Sequence, residues 1–340
     1  MRQRLFQVLV EQPKLLISSS RGFGQSSIAF ASAVVKKTNW KKDVVYLYQF
    51  PRSPVAPNLS PYCLKLETFL RVHGIKYEVI GNMFHRSEKG RLPFIELNGQ
   101  QMADSQVIIW NLQKHFKIDE EFLSKEQKGV ARAVERMIEG STFYPLQWDK
   151  GVVNARNLLS RNISGAPLPA FVSNFLAKRF GEAIRKRINS ALAGLSKEER
   201  ETLLRKDIEA LDAILGEKKF LFGDRITVAD CCVFGQLAVT GFLPFRQTIT
   251  DLLEDDFPRV RQYLERIRSH YYPEWKEYCL AVVCDYNNCD YDNSSNYNGD
   301  HIDHCVYWRY NASESSTVYA STSASSTAAT ATGFTTESAV

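Results

Sequence analysis

A strand-like run that leads into a helix start constrains the fold of this chain more than any other sequence feature. Val44 to Phe50 is rich in β-branched and aromatic residues, which favour a strand. Ser60 and Pro61 then introduce a helix-like run from Cys63 to His73, because serine is a preferred N-cap and proline suits the first helical position. The first N–H groups of a helix have no partners within the helix, and the positive end of the helix dipole lies at the same place. A helix start therefore favours an anion such as a thiolate.

The elements that follow this helix predict a small mixed α/β domain over residues 43–118. An Asn-Gly turn predicts a hairpin, and Val107, Ile108, Leu112 and Phe116 are expected to be buried on the last helix. A β-α-β unit followed by β-β-α is the order of a thioredoxin-like domain. The predicted elements after the first helix are a strand at Tyr77–Ile80, hairpin strands at Phe94–Leu97 and Gln101–Ala103, and a helix at Gln106–Phe116.

Residues 119–278 predict an all-α bundle. The spacing of Leu203, Ile208, Leu211 and Leu215 indicates one amphipathic helix. Thr227 to Asp230 matches a capping box before an apolar run. The predicted helices are Lys125–Glu139, Phe171–Ala193, Lys197–Leu215, Ala229–Leu243 and Pro258–Ser269.

The two ends of the chain differ in charge from the middle. Residues 1–42 carry eight Lys or Arg against a single acid, so we expect a basic extension that is disordered or, because residues 1–12 are amphipathic, a mitochondrial targeting segment. Residues 279–340 carry one Arg against seven acids and end in a Ser/Thr/Ala tract, so we expect a disordered tail. The tail also holds Cys and His, but their spacings do not match structural zinc sites, so we predict no metal.

Composition excludes several classes of function. The net charge of +5 is modest and its basic residues are not clustered in the middle of the chain, which speaks against a nucleic-acid partner. The sequence contains no run of about 18 apolar residues, so we predict no transmembrane segment. An odd number of cysteines, seven, with no secretory signal indicates a reducing compartment. We therefore expect a cytoplasmic protein, with the mitochondrion as the alternative.

Four stretches together resemble the failed axon connections family, a glutathione S-transferase-like branch related to metaxins and cadmium-responsive proteins. The resemblance covers about residues 43–275. It implies a glutathione S-transferase-like architecture, with the thioredoxin-like domain followed by the helical domain. The stretches are Asp43–Pro51 (DVVYLYQFP), Leu59–Thr68 (LSPYCLKLET), Leu92–Gly99 (LPFIELNG) and Phe222–Asp230 (FGDRITVAD).

The resemblance also implies a glutathione site. Ser60 would donate to the glutathione sulfur and favour its thiolate. The Leu92–Pro93 peptide bond would be cis, and the Leu92 backbone would pair with the cysteinyl backbone of the ligand. Asp104 and Ser105 would bind the glutamyl carboxylate, although relatives often have Glu where this chain has Asp. Ser60 and Asp104 also suit plain N-caps, so that reading stays open.

Secondary candidates surround this site. Cys63 lies where glutaredoxin-like proteins keep their second cysteine, and the alternative reading is a small buried hydrophobe that stays protonated. Tyr144 and Trp148, with Arg156, are candidates for an acceptor pocket, against ordinary aromatic packing. His85, Arg86 and Arg91 are candidates for the second ligand carboxylate, against a solvated basic loop.

Two functions remain open from the sequence. One is a protein that binds glutathione or a related thiol and conjugates it to electrophiles, which leaves open whether the chain is an enzyme. The other is a non-catalytic adaptor on the same scaffold, used in axon development, trafficking or membrane-associated assembly. Glutathione is the expected ligand, and protein partners or a homodimer are expected on either reading. Fold alone does not decide between the two.

Overall fold

A four-stranded mixed sheet forms the first part of the molecule. The computed structural model describes residues 35–192 and 194–275. The strand order is β2-β1-β3-β4, with β1 and β2 parallel and the other pairs antiparallel. The strands are β1 (Val45–Gln49), β2 (Tyr77–Gly81), β3 (Phe94–Leu97) and β4 (Gln100–Ala103). The predicted strand order along the chain is therefore confirmed.

The predicted hairpin turns at Asn98 and Gly99. Both residues have positive φ, 49° and 76°, which asparagine and glycine tolerate better than other residues. Leu97 pairs with Gln100 on either side of this turn. The two-residue loop thereby fixes the register of β3 and β4 and places Pro93 and Asp104 at the same end of the hairpin.

Two helices complete this domain. α1 (Pro61–Val72) follows the N-cap Ser60, and α2 (Ser105–Phe116) follows the N-cap Asp104. The expectation that Val107 is buried is wrong, because Val107 is 37% exposed while Ile109 is buried. A helical stripe through 108, 109 and 112 leaves position 107 on its margin.

The second part is helical, as predicted, but it is interrupted. Between residues 119 and 275, apart from the undescribed residue 193, three short π-helical segments interrupt the regular hydrogen bonding, and the predicted helix Lys125–Glu139 ends at Met137. The helices are α3 (Lys125–Met137), α4 (Phe143–Trp148), α5 (Ala155–Leu158), α6 (Arg161–Ser164), α7 (Ala170–Leu192), α8 (Lys197–Leu215), α9 (Val228–Gly241), α10 (Thr248–Asp251) and α11 (Pro258–Tyr271). The π segments are π1 (Ile138–Thr142), π2 (Asp149–Val153) and π3 (Leu252–Asp256).

Helix α8 buries a slightly different stripe from the predicted one. Leu204 is almost fully buried, together with Ile208, Leu211 and Leu215, whereas Leu203 is only half-buried. The Leu204–Ile208–Leu211–Leu215 spacing of four, three and four residues keeps one face toward the bundle. The amphipathic helix was predicted, but its first core position was misassigned by one residue.

Helix α9 joins the two parts into one packed body. Every residue from Val228 to Gly241 is buried, because α9 packs against α1 on one side and the bundle on the other. The predicted capping box is present: Asp230 Oδ2 accepts hydrogen bonds from the backbone N–H and the hydroxyl of Thr227. Gly235 lets the backbones of α9 and α1 approach closely, since a Cβ there would lie 2.7 Å from the backbone nitrogen of Lys65.

Within the described ranges, no helix has the length and apolar character that crossing a bilayer requires. The predictions for residues 1–34 and for the tail from Cys279 onward, including the Cys and His residues weighed there as metal ligands, lie outside the described residues.

Candidate functional site

The sheet topology brings three separate segments to one edge of the sheet, the edge at which β1 ends, β3 begins and β4 ends. Tyr48, near the carboxyl end of β1, pairs with Phe94 at the start of β3, and Phe94 pairs with Ala103 at the end of β4. The chain entering β3 carries Leu92 and Pro93, and the chain leaving β4 carries Asp104 and Ser105. The loop that leaves β1 ends at Ser60. The predicted site residues of this domain therefore lie at the same edge of the sheet.

The loop before Ser60 is held by side-chain hydrogen bonds. The Asn58 amide donates to the carbonyl of Phe50, at 2.8 Å, and its Oδ1 accepts from the backbone N–H of Ser60, at 2.9 Å. The Ser60 hydroxyl accepts from the Cys63 N–H at 3.5 Å, a long contact that leaves the N-cap weakly bonded. Asn58 was missed from the sequence, although an Asx residue two positions before an N-cap is a recognisable turn signal.

Cys63 lies in the first turn of α1 and is fully buried. Burial raises the pKa of its thiol to about 12, against the smaller opposing effects of the Ser60 hydroxyl and the Phe50 backbone. A thiol with such a pKa is protonated at neutral pH and a poor nucleophile. The geometry agrees with the reading of Cys63 as a small buried hydrophobe.

The other two segments of this edge have distinct geometry. The Leu92–Pro93 bond is cis, as the resemblance implies. Asp104 has a φ of 81°, and its carboxylate accepts from the N–H groups of Gln106 and Val107. A non-glycine residue at such a φ is strained by roughly 1–3 kcal/mol, and such strain is frequent at functional sites. The carboxylate caps α2, and Ser105, the first residue of that helix, is buried.

Aromatic side chains from the helical part lie beside the start of α1. The Tyr62 ring packs against Phe143 with ring centroids 5.6 Å apart, and Phe143 meets Tyr144 edge-on at 5.4 Å. Tyr144 is near enough to contribute to the raised pKa of Tyr62, after the larger effect of burial. Tyr62 and Phe143 were not predicted, because only the tertiary packing of α1 against α4 shows that they meet.

The other members of the predicted acceptor pocket are Trp148 and Arg156. Trp148 lies under the guanidinium of Arg200, 4.3 Å from the ring centroid. It lines a surface pocket of about 490 Å³ that also includes Gln247. Arg156 is exposed on α5. A second pocket, of about 570 Å³, lies at the opposite end of α1 around His73, and neither pocket is lined by Ser60, Leu92 or Ser105.

The basic loop before β3 contributes one side chain to this edge. The Arg86 guanidinium lies over the ring of Phe50, 5.3 Å from its centroid, and it is half-buried. Burial lowers the pKa of Arg86, and Cys63 is close enough to affect it in the opposite direction. His85 and Arg91 are exposed, so only Arg86 is positioned against the end of β1.

A buried ion cluster supports the loop from beneath. The Glu67 carboxylate accepts two hydrogen bonds from Arg52, at 2.7 and 2.6 Å, and another from Gln49 at 2.8 Å. Burial would raise the pKa of Glu67, but Arg52, Arg71 and Gln49 together lower it to about 2. Arg52 also donates to the carbonyl of Pro57. The cluster thus ties α1 to the loop that precedes Ser60.

Comparison with known proteins identifies the family. A model of the glutathione S-transferase N-terminal domain matches residues 61–152, and a model of the C-terminal domain matches residues 204–267. Failed axon connections of Drosophila melanogaster is 35% identical over 262 residues, which cover 73% of this chain and 63% of that protein. The chain belongs to the failed axon connections family of glutathione S-transferase-like proteins. It spans less than two thirds of the length of this fly relative.

Two further proteins are similar to this member of the family. The isoprene-epoxide–glutathione S-transferase of Rhodococcus sp. strain AD45 is 28% identical over 238 residues, covering 63% of this chain and 94% of that enzyme. A solved glutathione transferase from Phanerochaete chrysosporium has 15% identity and a TM-score of 0.49, covering 67% of this chain and 98% of that one.

Proposed function

We propose that the chain binds glutathione at the edge of the sheet beside Ser60 and activates its thiol for transfer to an electrophile. The observation that carries the proposal is the convergence of Ser60, Leu92 and Ser105, which are distant in sequence, on one edge at the start of α1. An anion at this place faces free N–H groups and the positive end of the helix. The similarity to a Rhodococcus enzyme named for glutathione transfer supports the same reaction class.

Each residue of the edge has a proposed role. The Ser60 hydroxyl donates to the glutathione sulfur and stabilises its thiolate, turning toward the ligand from its long N-cap contact with the Cys63 N–H. The Leu92 backbone pairs with the cysteinyl backbone, and the start of α2 at Ser105 receives the glutamyl carboxylate. The Tyr62, Phe143 and Tyr144 aromatic group is the proposed contact for an apolar electrophile.

The test is titration calorimetry with millimolar glutathione, followed by conjugation to an epoxide or an activated aryl halide. We expect Ser105→Ala to weaken binding, and Ser60→Ala to reduce conjugation by roughly ten- to a hundredfold, the value of a hydrogen bond to a charged group. Ser196→Ala is the matched control, because Ser196 caps α8 in the same way and is exposed.

Absence of binding heat from a folded sample would contradict this proposal and would favour the non-catalytic adaptor. Equal loss of conjugation in Ser60→Ala and Ser196→Ala would show that Ser60 acts only as a helix cap. Binding without conjugation of any electrophile would leave a glutathione-binding protein and would remove the transferase step.

A further inference from the structure

Among the residues that the structure describes, Lys150 is a buried lysine without a counterion. The residue is 3% exposed, and in the part of the chain that the structure describes its ammonium makes one hydrogen bond, to the carbonyl of Leu59 at 3.3 Å. Lys65 is equally buried, but its ammonium contacts Gln106 at 2.6 Å and the Glu139 carboxylate at 2.8 Å. Burying a charge without such partners is costly, so Lys150 costs stability where Lys65 is compensated.

The single partner of Lys150 belongs to the candidate site. Leu59 immediately precedes Ser60, in the loop that Asn58 ties to Phe50 and to the Ser60 N–H. Lys150 reaches this loop from π2, in the helical part of the molecule. π-helical segments occur frequently at functional sites. The ammonium therefore connects the helical part directly to the peptide that positions the N-cap of α1.

We propose that Lys150 is a positioning residue of the Ser60 site, where its ammonium holds the Leu59–Ser60 peptide and supplies positive charge behind the start of α1. The inference rests on the proposed binding of glutathione. When the bound thiol ionises, its S–H bond breaks and the proton leaves to solvent, and the anion that forms is favoured by the nearby cation.

The surroundings leave this charge largely uncompensated. Burial lowers the pKa of Lys150 to about 7, and no charged neighbour contributes to that shift. Asp149, the adjacent acid on π2, is bonded to Thr248 and interacts with Arg200. α4 carries no charged residue, and the charged residues of α5 and α7 that pack near π2 are exposed. They are Arg156, Lys178, Arg179, Glu182, Arg185, Lys186 and Arg187.

The ammonium and the thiolate would favour each other. A bound thiolate would raise the pKa of Lys150, and protonated Lys150 would lower the pKa of the bound thiol, because each stabilises the charged form of the other. The two groups therefore titrate as a coupled pair when glutathione is present. Without glutathione, burial alone acts on the ammonium and lowers its pKa.

The experiment compares Lys150→Met, Lys150→Gln and Lys178→Met in the full chain. Lys178→Met is the control, because Lys178 is exposed on the neighbouring α7. Thiolate formation by bound glutathione is followed by its ultraviolet absorbance as a function of pH, and the melting temperature of each variant is recorded. Gln keeps a donor for the Leu59 carbonyl but removes the charge, so it separates the two parts of the proposal.

We expect both Lys150 variants to have roughly tenfold less bound thiolate at neutral pH than the unmodified protein, and Lys178→Met to match it. The melting temperature of Lys150→Met should be equal or higher, because a buried unpaired charge is removed. Unchanged thiolate in Lys150→Met, or loss in that variant but not in Lys150→Gln, would overturn the role of the charge. Absence of glutathione binding by the unmodified protein would refute the proposed function itself, and the role of Lys150 with it.

Discussion

At the residue scale, burial decides which groups of the site can react. Cys63 was the chemical candidate that the sequence suggested beside Ser60, since both lie at the start of one helix. The structure buries Cys63 completely and leaves Ser60 half-exposed. The field of a helix N-terminus falls off within the first turn, so it acts on position 60 more than on position 63. This difference in burial and position supports the proposal that Ser60, and not Cys63, interacts with the ligand thiol.

We expect Cys63 to react slowly with small alkylating agents in the folded protein at neutral pH. Burial raises its pKa to about 12, so the thiolate fraction is negligible. Cys231 and Cys232 are also buried and serve as internal references. The measurement is time-resolved alkylation with mapping by mass spectrometry. Selective labelling of Cys63 before the protein unfolds would contradict this account and would make Cys63 the reactive centre.

The Glu67 cluster predicts acid sensitivity. The pKa of Glu67 is lowered from an ordinary value of 4.5 to about 2, so its carboxylate stabilises the fold fully above about pH 4.5, by about 3 kcal/mol. This stabilisation is lost as the pH falls from 4.5 through 2. We expect Glu67→Gln to lower the free energy of unfolding at pH 7 by about 3–5 kcal/mol, because Arg52 and Arg71 lose their buried counterion.

The measurement is urea denaturation at several pH values, with Glu209→Gln as control, because Glu209 forms an exposed ion pair with Lys206. The dependence of stability on pH between 4.5 and 2 should be weaker in Glu67→Gln than in the control. An equal acid dependence in both variants would show that Glu67 is not the responsible group.

At this scale, residues with a local sequence signal could be predicted, whereas contacts between residues distant in the sequence could not. Ser60, Pro93 and Asp104 are found from helix caps and from the family resemblance. Glu67 and Lys150 give no local signal. Glu67 contacts Arg52, and Lys150 contacts Leu59, and these partners lie 15 and 91 residues away in the sequence. Charged residues in a helix are normally read as solvated.

At the element scale, the contact between α1 and α9 determines how the two parts pack. We expect Gly235→Ala to lower the free energy of unfolding by about 1–3 kcal/mol, because the added Cβ would lie within 2.8 Å of the Lys65 backbone. Gly129→Ala is the matched control, since Gly129 lies in α3 with open space at its Cβ, and alanine there should stabilise by up to about 1 kcal/mol.

Urea denaturation of both glycine variants measures this difference directly. Opposite signs would support the close approach of the two helices. A Gly235→Ala variant as stable as Gly129→Ala would contradict it. The approach itself could not be predicted from the sequence, since Gly235 lies in an unbroken apolar helix and only the facing backbone of α1 requires a glycine there.

Element boundaries were predicted where caps are explicit. Thr227 and Asp230 fixed the start of α9, and the Asn98–Gly99 turn fixed the hairpin. The π segments were not predicted, because no glycine or proline at the junction of α3 and π1, at Met137, indicates that the regular α-helix ends there. These segments depend on tertiary packing, and one of them carries Lys150.

At the scale of the whole molecule, the fully buried side chain of Trp275 belongs to the core of the helical part. Its indole N–H donates to the carbonyl of Val55 at 2.7 Å, and its ring packs edge-on against Phe234, Phe242 and Tyr272. The composition of residues 279–340 predicts little contribution to folding. We therefore expect a chain shortened to residues 1–275 to melt near the temperature of the full chain.

The control for this shortened chain is Trp275→Ala within it, which should lower the free energy of unfolding by about 3–5 kcal/mol. Differential scanning calorimetry of the three proteins measures both effects. A large loss of stability on shortening alone would contradict the prediction that the tail is dispensable.

The two-part architecture was predicted in full from the element order and the family resemblance. The packing between the two parts was not predicted, because α9 contributes side chains to the cores on both of its sides. Phe234 lies in the helical core, and Cys231 lies in the core beneath the sheet. A sequence pattern shows that such a helix is buried but not which neighbours cover it.

The most direct test of the account is to map glutathione by backbone amide shifts in nuclear magnetic resonance. We predict that added glutathione shifts the amides around Ser60, Phe94 and Ser105, and leaves those around Gln247 and His73, which line the two other pockets, unchanged. Shifts confined to either of those pockets, or no shifts at millimolar glutathione, would contradict the claim that this edge of the sheet is a glutathione site.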